Sequence, residues 1–480
     1  MWLTTHNVMA VVASATPEEH KWLQGYLSFT DSGFRKSSKR VSLYHLASAS
    51  FPGGLLPLVL DAGKRDNITI GLIDKRTSNL QVDVDADLDW LRDYQLDAVE
   101  AIARERRGII RAPTGSGKTE CFVALTQKLP GRWLMLVHRD TLVDQASDRY
   151  TLRTGRVANV LSRVPAQHWR LAPGLNAMTF QTLAAALRRD TALVDQALAV
   201  CDGLIIDEAH VAPADTYFRA VQRCPAEYRV GFSGTPLDRT DNRSLMAIAA
   251  LGRVIYSIKA TTLIESGVLA RPRITMIPVA QKFQAQGQVA RGARAYSQIY
   301  STHVSGSDAR NMRVVELVRD APKPCMVFVK EIEHGHALKK ACEQAGLNTE
   351  FVFGGTKSHG RKGSIQRLER GDADVLIASV VFQEGVDIPS LESVIIASGG
   401  KSVIAALQRI GRGMRTNNGA KTDFKVYDIL DLGIPSLEKH ARRRMNTYVR
   451  EGYATMIAER DGSLKAYAPR LKTRAEKRGE

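Results

Sequence analysis

A chain of 480 residues with 44 % hydrophobic content has room for roughly two to four domains and is too apolar for wholesale disorder. The formal charge of +17 points to an anionic partner, nucleic acid first, although such a balance also serves solubility. Cys121, Cys201, Cys224, Cys325 and Cys342 form no CxxC pair, which argues against a zinc ribbon or a disulfide scaffold and fits a reducing compartment.

In chain order, MWLTTHNVMAVVAS lacks the basic lead and long apolar core of a signal peptide. No later run approaches the ~20 residues of a membrane span. The expectation is a soluble, cytoplasmic protein without membrane contact. Residues 1–82 read as a small accessory unit. PEEHKWLQGYLSF is expected to be helical, VSLYHLASASF and NITIGLID to be strands, FPGG and DAGKRDN to be turns. FRKSSKRVSLYHL is either a basic strand pair on duplex DNA or a solvated face. VDVDADLDW, alternating Asp with apolar residues, reads as a linker rather than an edge strand.

Over residues 83–280, GIIRAP, RWLMLVH, GLIIDE and RVGFSG are short apolar runs separated by helical stretches, the signature of a parallel α/β sheet. The polar, Gln- and Gly-rich QKFQAQGQVARGARAYSQ suits an exposed connection, assigned to 281–311. A second α/β series over 312–432 runs through CMVFVK, TEFVFGG, ADVLIAS, SVIIAS and FKVYDIL. Residues 433–480 read as a basic helical tail. In EIEHGHAL, His334 and His336 are two apart, so on a helix they diverge and make a poor metal site.

RAPTGSGKT (111–119) follows an apolar strand and precedes a helix, fitting phosphate-loop spacing except that Ala112 replaces the first glycine. Pro113, Thr114, Gly115, Ser116 and Gly117 would cradle phosphates at a helix N-terminus, where the partial positive charge favours anions. Lys118 would reach the β- and γ-phosphates of a nucleotide, which leaves a kinase or a GTPase equally open at this point, and the Thr119 hydroxyl would ligate Mg²⁺. In GLIIDEAH (203–210), Asp207 would hold Mg²⁺ through water and Glu208 would deprotonate the attacking water. LQRIGRGMR (407–415) is expected to be a helix with Val403, Leu407, Ile410 and Met414 as a buried stripe. Gln408, Arg412 and Arg415 line another face, and Gly411 and Gly413 each cost about 1 kcal/mol against alanine.

These motifs, in this order over residues 90–432, resemble helicase superfamily 2 in its DEAH-type branch. The resemblance implies two tandem RecA-like parallel-sheet domains of α/β class behind a small α+β N-terminal domain. In LRDYQLDAV it implies an adenine contact at Gln95 with Arg92 nearby. VHRDTLVDQ and MTFQTL resemble strand-contacting motifs. FSGTP resembles the Ser-Ala-Thr coupling motif with Gly234 in the alanine's place. In IASVVFQEGVDIP, Gly385 and Asp387 would line the nucleotide site, and LQRIGRGMR resembles QxxGRxxR, making Arg412 and Arg415 arginine fingers. His210 would couple hydrolysis to movement through Gln408 or Ser233–Thr235.

Strand-contact candidates are Arg139, Thr179, Gln181, Gly354, Gly355, Thr356, Ser379, Phe382 and Gln383, each equally readable as a turn or strand-end residue. Small hydroxyls, amides and glycines suit a phosphate backbone, so binding is expected to be sequence-independent. The arrangement looks most like phage UvsW-type helicases, with XPB-like and RecG-like DNA translocases as more distant kin. It implies an ATP-dependent monomeric motor on branched DNA. The alternatives are a DEAH-class RNA helicase, or the motor subunit of a restriction or defence complex.

Overall fold

The computed structural model describes residues 1–31, 39–237, 243–282, 293–356, 358–379, 388, 390–400, 410, 411, 414, 421–459 and 461–468. The chain divides into two compact units, Met1–Pro113 with Gly117–Ile258, and Lys259–Glu480 with Thr114–Ser116.

The first unit opens with a four-stranded sheet of β1 (Trp2–Thr5), β2 (Met9–Ser14), β5 (Ser50–Pro52) and β6 (Gly71–Asp74), in the order β5-β2-β1-β6. β3 (Ser28–Asp31) and β4 (Lys39–Ser42) make a separate antiparallel pair. The helix Pro17–Tyr26 starts where the sequence says it should. Thr16 accepts the Glu19 N–H while the Glu19 carboxylate accepts the Thr16 N–H, a reciprocal cap. VSLYHLASASF is not one strand: its centre is a 3-10 turn at Leu46–Ser48, where Ala49 takes a left-handed φ of 43°.

This α+β module is not a free appendage. Leu3, Phe51, Leu55 and Val59 share one apolar cluster with Met246 and Ala249 of the helix Ser244–Leu251. A Cβ at Gly54 would lie 2.2 Å from the Ile248 carbonyl oxygen, so only glycine admits this approach. The seam also carries Arg243–Asp31 at 2.6 Å and Asn7 Nδ2 donating to the Pro225 carbonyl. The VDVDADLDW strap lies along the same unit, with Leu88 and, just before it, Leu80 buried in its core.

Behind the module, β7 (Arg107–Arg111), β8 (Arg132–Val137), β9 (Asn159–Val160), β10 (Gly174–Thr179), β11 (Gly203–Asp207), β12 (Tyr228–Ser233) and β13 (Val254–Ser257) form a fully parallel sheet. Its order is β13-β7-β12-β11-β8-β10-β9. Its central strands are near-continuous apolar runs because helices cover both faces. The helices 93–105, 118–128 and 140–154 pack on one side with Phe122, Trp133 and Phe232. The helices 180–189, 191–198, 215–223 and 244–251 pack on the other, around Leu134, Phe180 and Ile206.

The second unit holds β14 (Arg271–Ala280), β15 (Cys325–Val329), β16 (Thr349–Val352), β17 (Val375–Ser379), β18 (Ser393–Ile396), β19 (Asp423–Leu432), β20 (Thr455–Ala458) and β21 (Leu464–Ala466). The order is β16-β17-β15-β18-β19-β14-β20-β21, parallel except for the last pair. This corrects the boundary expected at 281. β14 pairs with β19 along all ten residues, so the second unit begins upstream, at Lys259. Part of the expected tail is also core, since the helix Pro435–Arg450 packs Leu437, Met445 and Tyr448 inward.

Two buried ion pairs anchor this sheet. Arg310 Nε bonds Asp431 at 2.8 Å and its Nη1 donates to the Ala397 carbonyl. Arg444 grips Asp428 at 2.7–2.8 Å, with the Tyr448 hydroxyl on the same carboxylate. Removing one partner strands a buried charge and costs about 3–5 kcal/mol. Nearby, His334 Nε2 donates to Asn311 Oδ1 at 2.9 Å, and its Nδ1 has no hydrogen-bond partner among the described residues. Burial, seconded by the Arg310 charge, pulls the His334 pKa down to about 3. His336 lies apart, edge-on to Phe351.

Two outcomes follow. Gly54→Ala forces the module off the helix Ser244–Leu251, and differential scanning calorimetry should show a fall of several degrees in the unfolding midpoint. For His334, the folded state binds fewer protons than the unfolded state between pH 3 and 6.5, so stability is lost as pH falls below 6.5. From pH 7 to 5 the wild type should lose about 2 kcal/mol more than His334→Gln in urea titrations.

Candidate nucleotide site and strand-end residues

In a parallel α/β sheet the carboxyl ends of the strands gather at one edge, where ligands bind. β7, β11 and β12 end there together: Arg111 pairs with Ser233, and Asp207 with Phe232. The chain leaves β7 through Ala112–Ser116 and enters the helix Lys118–Lys128. Gly115 (φ 86°) and Gly117 (φ 78°) turn it through the left-handed region. A Cβ at Gly117 would also lie 2.3 Å from Gln95 Nε2, so besides the strained φ a substitution would displace the Gln95 side-chain amide. Gln95 is 3 % exposed, and its Oε1 accepts the Arg92 N–H at 3.0 Å. Arg92 itself is exposed as the cap of the helix Asp93–Glu105.

Across the strand ends, Lys118 Nζ lies 3.6 Å from Glu208 Oε1 and His210 Nδ1 lies 3.2 Å from Glu208 Oε2. The same His210 nitrogen is 3.3 Å from Ser233 Oγ, which accepts the Thr235 N–H. The Ala112 N–H donates to the Ser233 carbonyl, tying the phosphate loop to this segment. Glu208 takes φ 57°, ψ 57°, uncommon for a side chain with a Cβ, and its N–H donates to Asp207 Oδ1.

The two adjacent carboxylates are driven apart in acidity. Burial, then the Glu208 charge, raises Asp207 to about 6. Burial pushes Glu208 up as well, but Lys118 and His210 outweigh it and hold Glu208 well below the usual carboxylate range. Such a split separates roles between neighbouring groups. A hydroxyl on the first helical turn, Thr119, and a buried carboxylate, Asp207, are oxygen donors of the kind Mg²⁺ takes. His138, passed over in the sequence, also acts electrostatically on both carboxylates. Its place just past the end of β8 was the available signal.

Of the strand-contact candidates, Arg139, Thr179 and Gln181 come together at the ends of the paired β8 and β10, where Gln181 Nε2 donates to the His138 carbonyl. Thr179 caps the helix Phe180–Arg189 through Thr182 N–H. In the second unit, Gly354, Gly355 and Thr356 follow β16, and Ser379 ends its neighbour β17. The Thr356 hydroxyl accepts the Phe353 N–H, and Arg361 clasps the Thr356 and Gly354 carbonyls. Ser379 is buried, its hydroxyl without a hydrogen-bond partner among the described residues. Ile410 and Met414 are buried as the stripe requires. Phe382, Gln383, Gly385, Asp387, Gln408, Arg412 and Arg415 lie outside the described residues.

Two family models match the chain: the res subunit of type III restriction enzymes over residues 89–238, and the helicase conserved C-terminal domain over 309–417. Together they span more than half of it. The chain belongs to helicase superfamily 2. A helicase-named protein of a Sulfolobus islandicus filamentous virus (isolate Iceland/Hveragerdi) is 25 % identical over 71 % of this chain and 64 % of its own length. The DNA 3'-5' translocase XPB2 of Sulfurisphaera tokodaii is 24 % identical over 74 % of this chain and 84 % of its own. The ATP-dependent DNA helicase uvsW of Enterobacteria phage T4 is 24 % identical over 70 % and 68 %. The chain spans 60 % of a haloarchaeal relative and 64 % of the viral one, less than two thirds of either. A fragment described as the HsdR subunit of a type I restriction enzyme from Vibrio vulnificus has the same fold, with TM-score 0.57, 17 % identity, and 92 % and 94 % of the two chains covered. The fold is two tandem RecA-like domains with a small N-terminal domain. No helix among the described residues is long and apolar enough to cross a membrane.

Among the described residues, an added Cβ at Gly234 would meet only the Ala112 carbonyl oxygen, at 3.5 Å, and Pro113 Cα, at 3.7 Å, both ordinary contacts. Gly234→Ala should therefore leave ATP affinity and unfolding midpoint near wild type. Gly117→Ala, strained in φ and crowding Gln95, should weaken ATP binding at least tenfold. Fluorescent-nucleotide titration of both variants checks the pair.

Proposed function

We propose that this protein is an ATP-driven DNA motor that unwinds or remodels branched DNA: forks, junctions and displacement loops. The observation that carries the ATPase reading is the Lys118–Glu208–His210–Ser233 constellation on one strand edge. Family membership and the DNA activities in the names of the uvsW and XPB2 relatives support the substrate.

In this reading the loop from Pro113 to Gly117 holds the triphosphate and Lys118 neutralises its terminal charge. Glu208, kept ionised by Lys118 and His210, accepts a proton from the attacking water. Thr119 and Asp207 would hold Mg²⁺, which would supply charge neutralisation to the phosphates. Gln95 and Arg92 receive the adenine, with Gly385 and Asp387 completing the pocket. Arg412 and Arg415 supply permanent positive charge to the transition state and Gln408 positions it, a contribution of 10³ to 10⁵ in rate for arginine fingers in general. His210, bonded to both Glu208 and Ser233, links hydrolysis to the segment that moves. Arg139, Thr179, Gln181, Gly354, Gly355, Thr356, Ser379, Phe382 and Gln383 hold the DNA backbone, and the chain works as a monomer in the cytoplasm. The family model named for a restriction enzyme supports a second reading, the motor subunit of a restriction or defence complex.

Steady-state ATP hydrolysis at low salt, titrated with single strands, linear duplex, a synthetic fork or four-way junction and matched RNA, separates these readings. The fork or junction should stimulate most, and Glu208→Gln should be silent. Stimulation by RNA alone would overturn the DNA assignment; no stimulation by any would favour the restriction-type subunit. Arg412→Ala should lower turnover at least 10³-fold with nucleotide affinity within a few-fold of wild type. Near-normal turnover there refutes the finger. His210→Ala should retain ATP hydrolysis but lose strand separation.

A further inference from the structure

The helix Pro435–Arg450 lies beyond the last motif and plays no part in the chemistry above. It is amphipathic in an uneven way. Its inner face is fixed by Leu437, Ala441, Arg444, Met445 and Tyr448, with Arg444 locked to Asp428. Its outer face presents Lys439, Arg442, Arg443, Asn446 and Arg450, all exposed, with Lys439, Arg443, Asn446 and Arg450 spaced three and four apart. Arg442 is partnered by Glu438 at 2.7 Å, and Arg450 approaches Glu451 at 3.8 Å. Lys439 and Arg443 make no ion pair and no side-chain hydrogen bond among the described residues. Both line a groove of about 560 Å³ that runs from Gly433 and Pro435 to Asn446, whose one carboxylate, Glu438, is taken up by Arg442.

An anchored helix with two unneutralised cations on one side of a groove is arranged differently from a solvated charged face. A solvated face commonly interleaves both signs, whereas here the exposed positions from 439 to 450 carry only cations and one amide. The buried Arg444–Asp428 pair anchors the helix, so its backbone presents Lys439 and Arg443 from a fixed position. Phosphates of a nucleic-acid backbone match such a surface in sign and demand no sequence information.

We infer that the outer face of this helix is a second, sequence-independent DNA backbone site, with Lys439 and Arg443 as its phosphate contacts. The inference rests on the DNA reading of the preceding section. Neither residue touches the nucleotide machinery, so basal ATP hydrolysis without DNA should be unchanged in Lys439→Gln/Arg443→Gln.

The test is fluorescence anisotropy of a labelled 30-base-pair duplex against full-length protein from 50 to 250 mM NaCl. Each phosphate contact adds about 0.9 to the slope of log K against log salt concentration. The double variant should therefore flatten the slope by about 2 and bind several-fold more weakly at 50 mM. The control is Arg188→Gln/Arg219→Gln, which removes two exposed arginines from a groove of about 430 Å³ in the first unit. Its slope should stay at the wild-type value. An unchanged slope in Lys439→Gln/Arg443→Gln overturns the inference, and so does equal flattening in both double variants, which would be an effect of net charge alone. Absence of wild-type binding to the duplex, together with no stimulation of hydrolysis by fork or junction, fails the DNA reading itself, and the two failures are thereby distinct.

Discussion

Everything chemical in this protein depends on the parallelism of its sheets. A parallel sheet points every strand's carboxyl end the same way, so residues far apart in sequence arrive at one edge without any contact between them having to be arranged locally. Arg111, Asp207 and Ser233 close three neighbouring strands in register, and the phosphate loop, the two carboxylates and the His210 bridge follow from that alignment. The same geometry brings Arg139 beside Gln181, and in the second unit sets Thr356 near the end of β17.

Within that frame the site is tuned by unequal environments more than by unusual residues. Asp207 and Glu208 are neighbours in sequence, yet one is held toward neutrality by burial and the other is kept ionised by a lysine and a histidine. The left-handed backbone at Glu208 is what lets consecutive carboxylates face different partners. Local strain there is sustained by the rigid strand before it and by the hydrogen bond its own amide makes to Asp207.

The apolar runs, the phosphate loop and the Asp-Glu strand end were legible in the sequence because each is a local pattern with a period or a fixed spacing. The boundary between the two units was not. RPRITMIPVA carries Pro272 and Pro278, which count against a central strand. β20 pairs only with Ile274–Met276, so both prolines fall beyond its reach. Its true partner, β19, is some 150 residues away, and no local window joins the two. Arg310 and Arg444 were likewise invisible. An arginine within a polar helix reads as solvated, and only Asp428 and Asp431, set among the apolar residues of FKVYDILDL, hinted that β19 needed buried cations. VSLYHLASASF misled for the converse reason: its composition suits a strand, but Ala49 turns the backbone out of one.

The seam between the N-terminal module and the helix Ser244–Leu251 has a bearing on how such chains diversify. Leu3, Phe51 and Leu55 do not complete a core of their own; they finish one to which Met246 and Ala249 contribute. At Gly54 the two backbones meet with no room for a methyl group. A module joined this way is no interchangeable cassette. Replacing it with an unrelated domain would bare an apolar stripe on the lobe that carries Lys118 and Glu208, so a substitute must reproduce the footprint, down to a glycine at the point of closest approach.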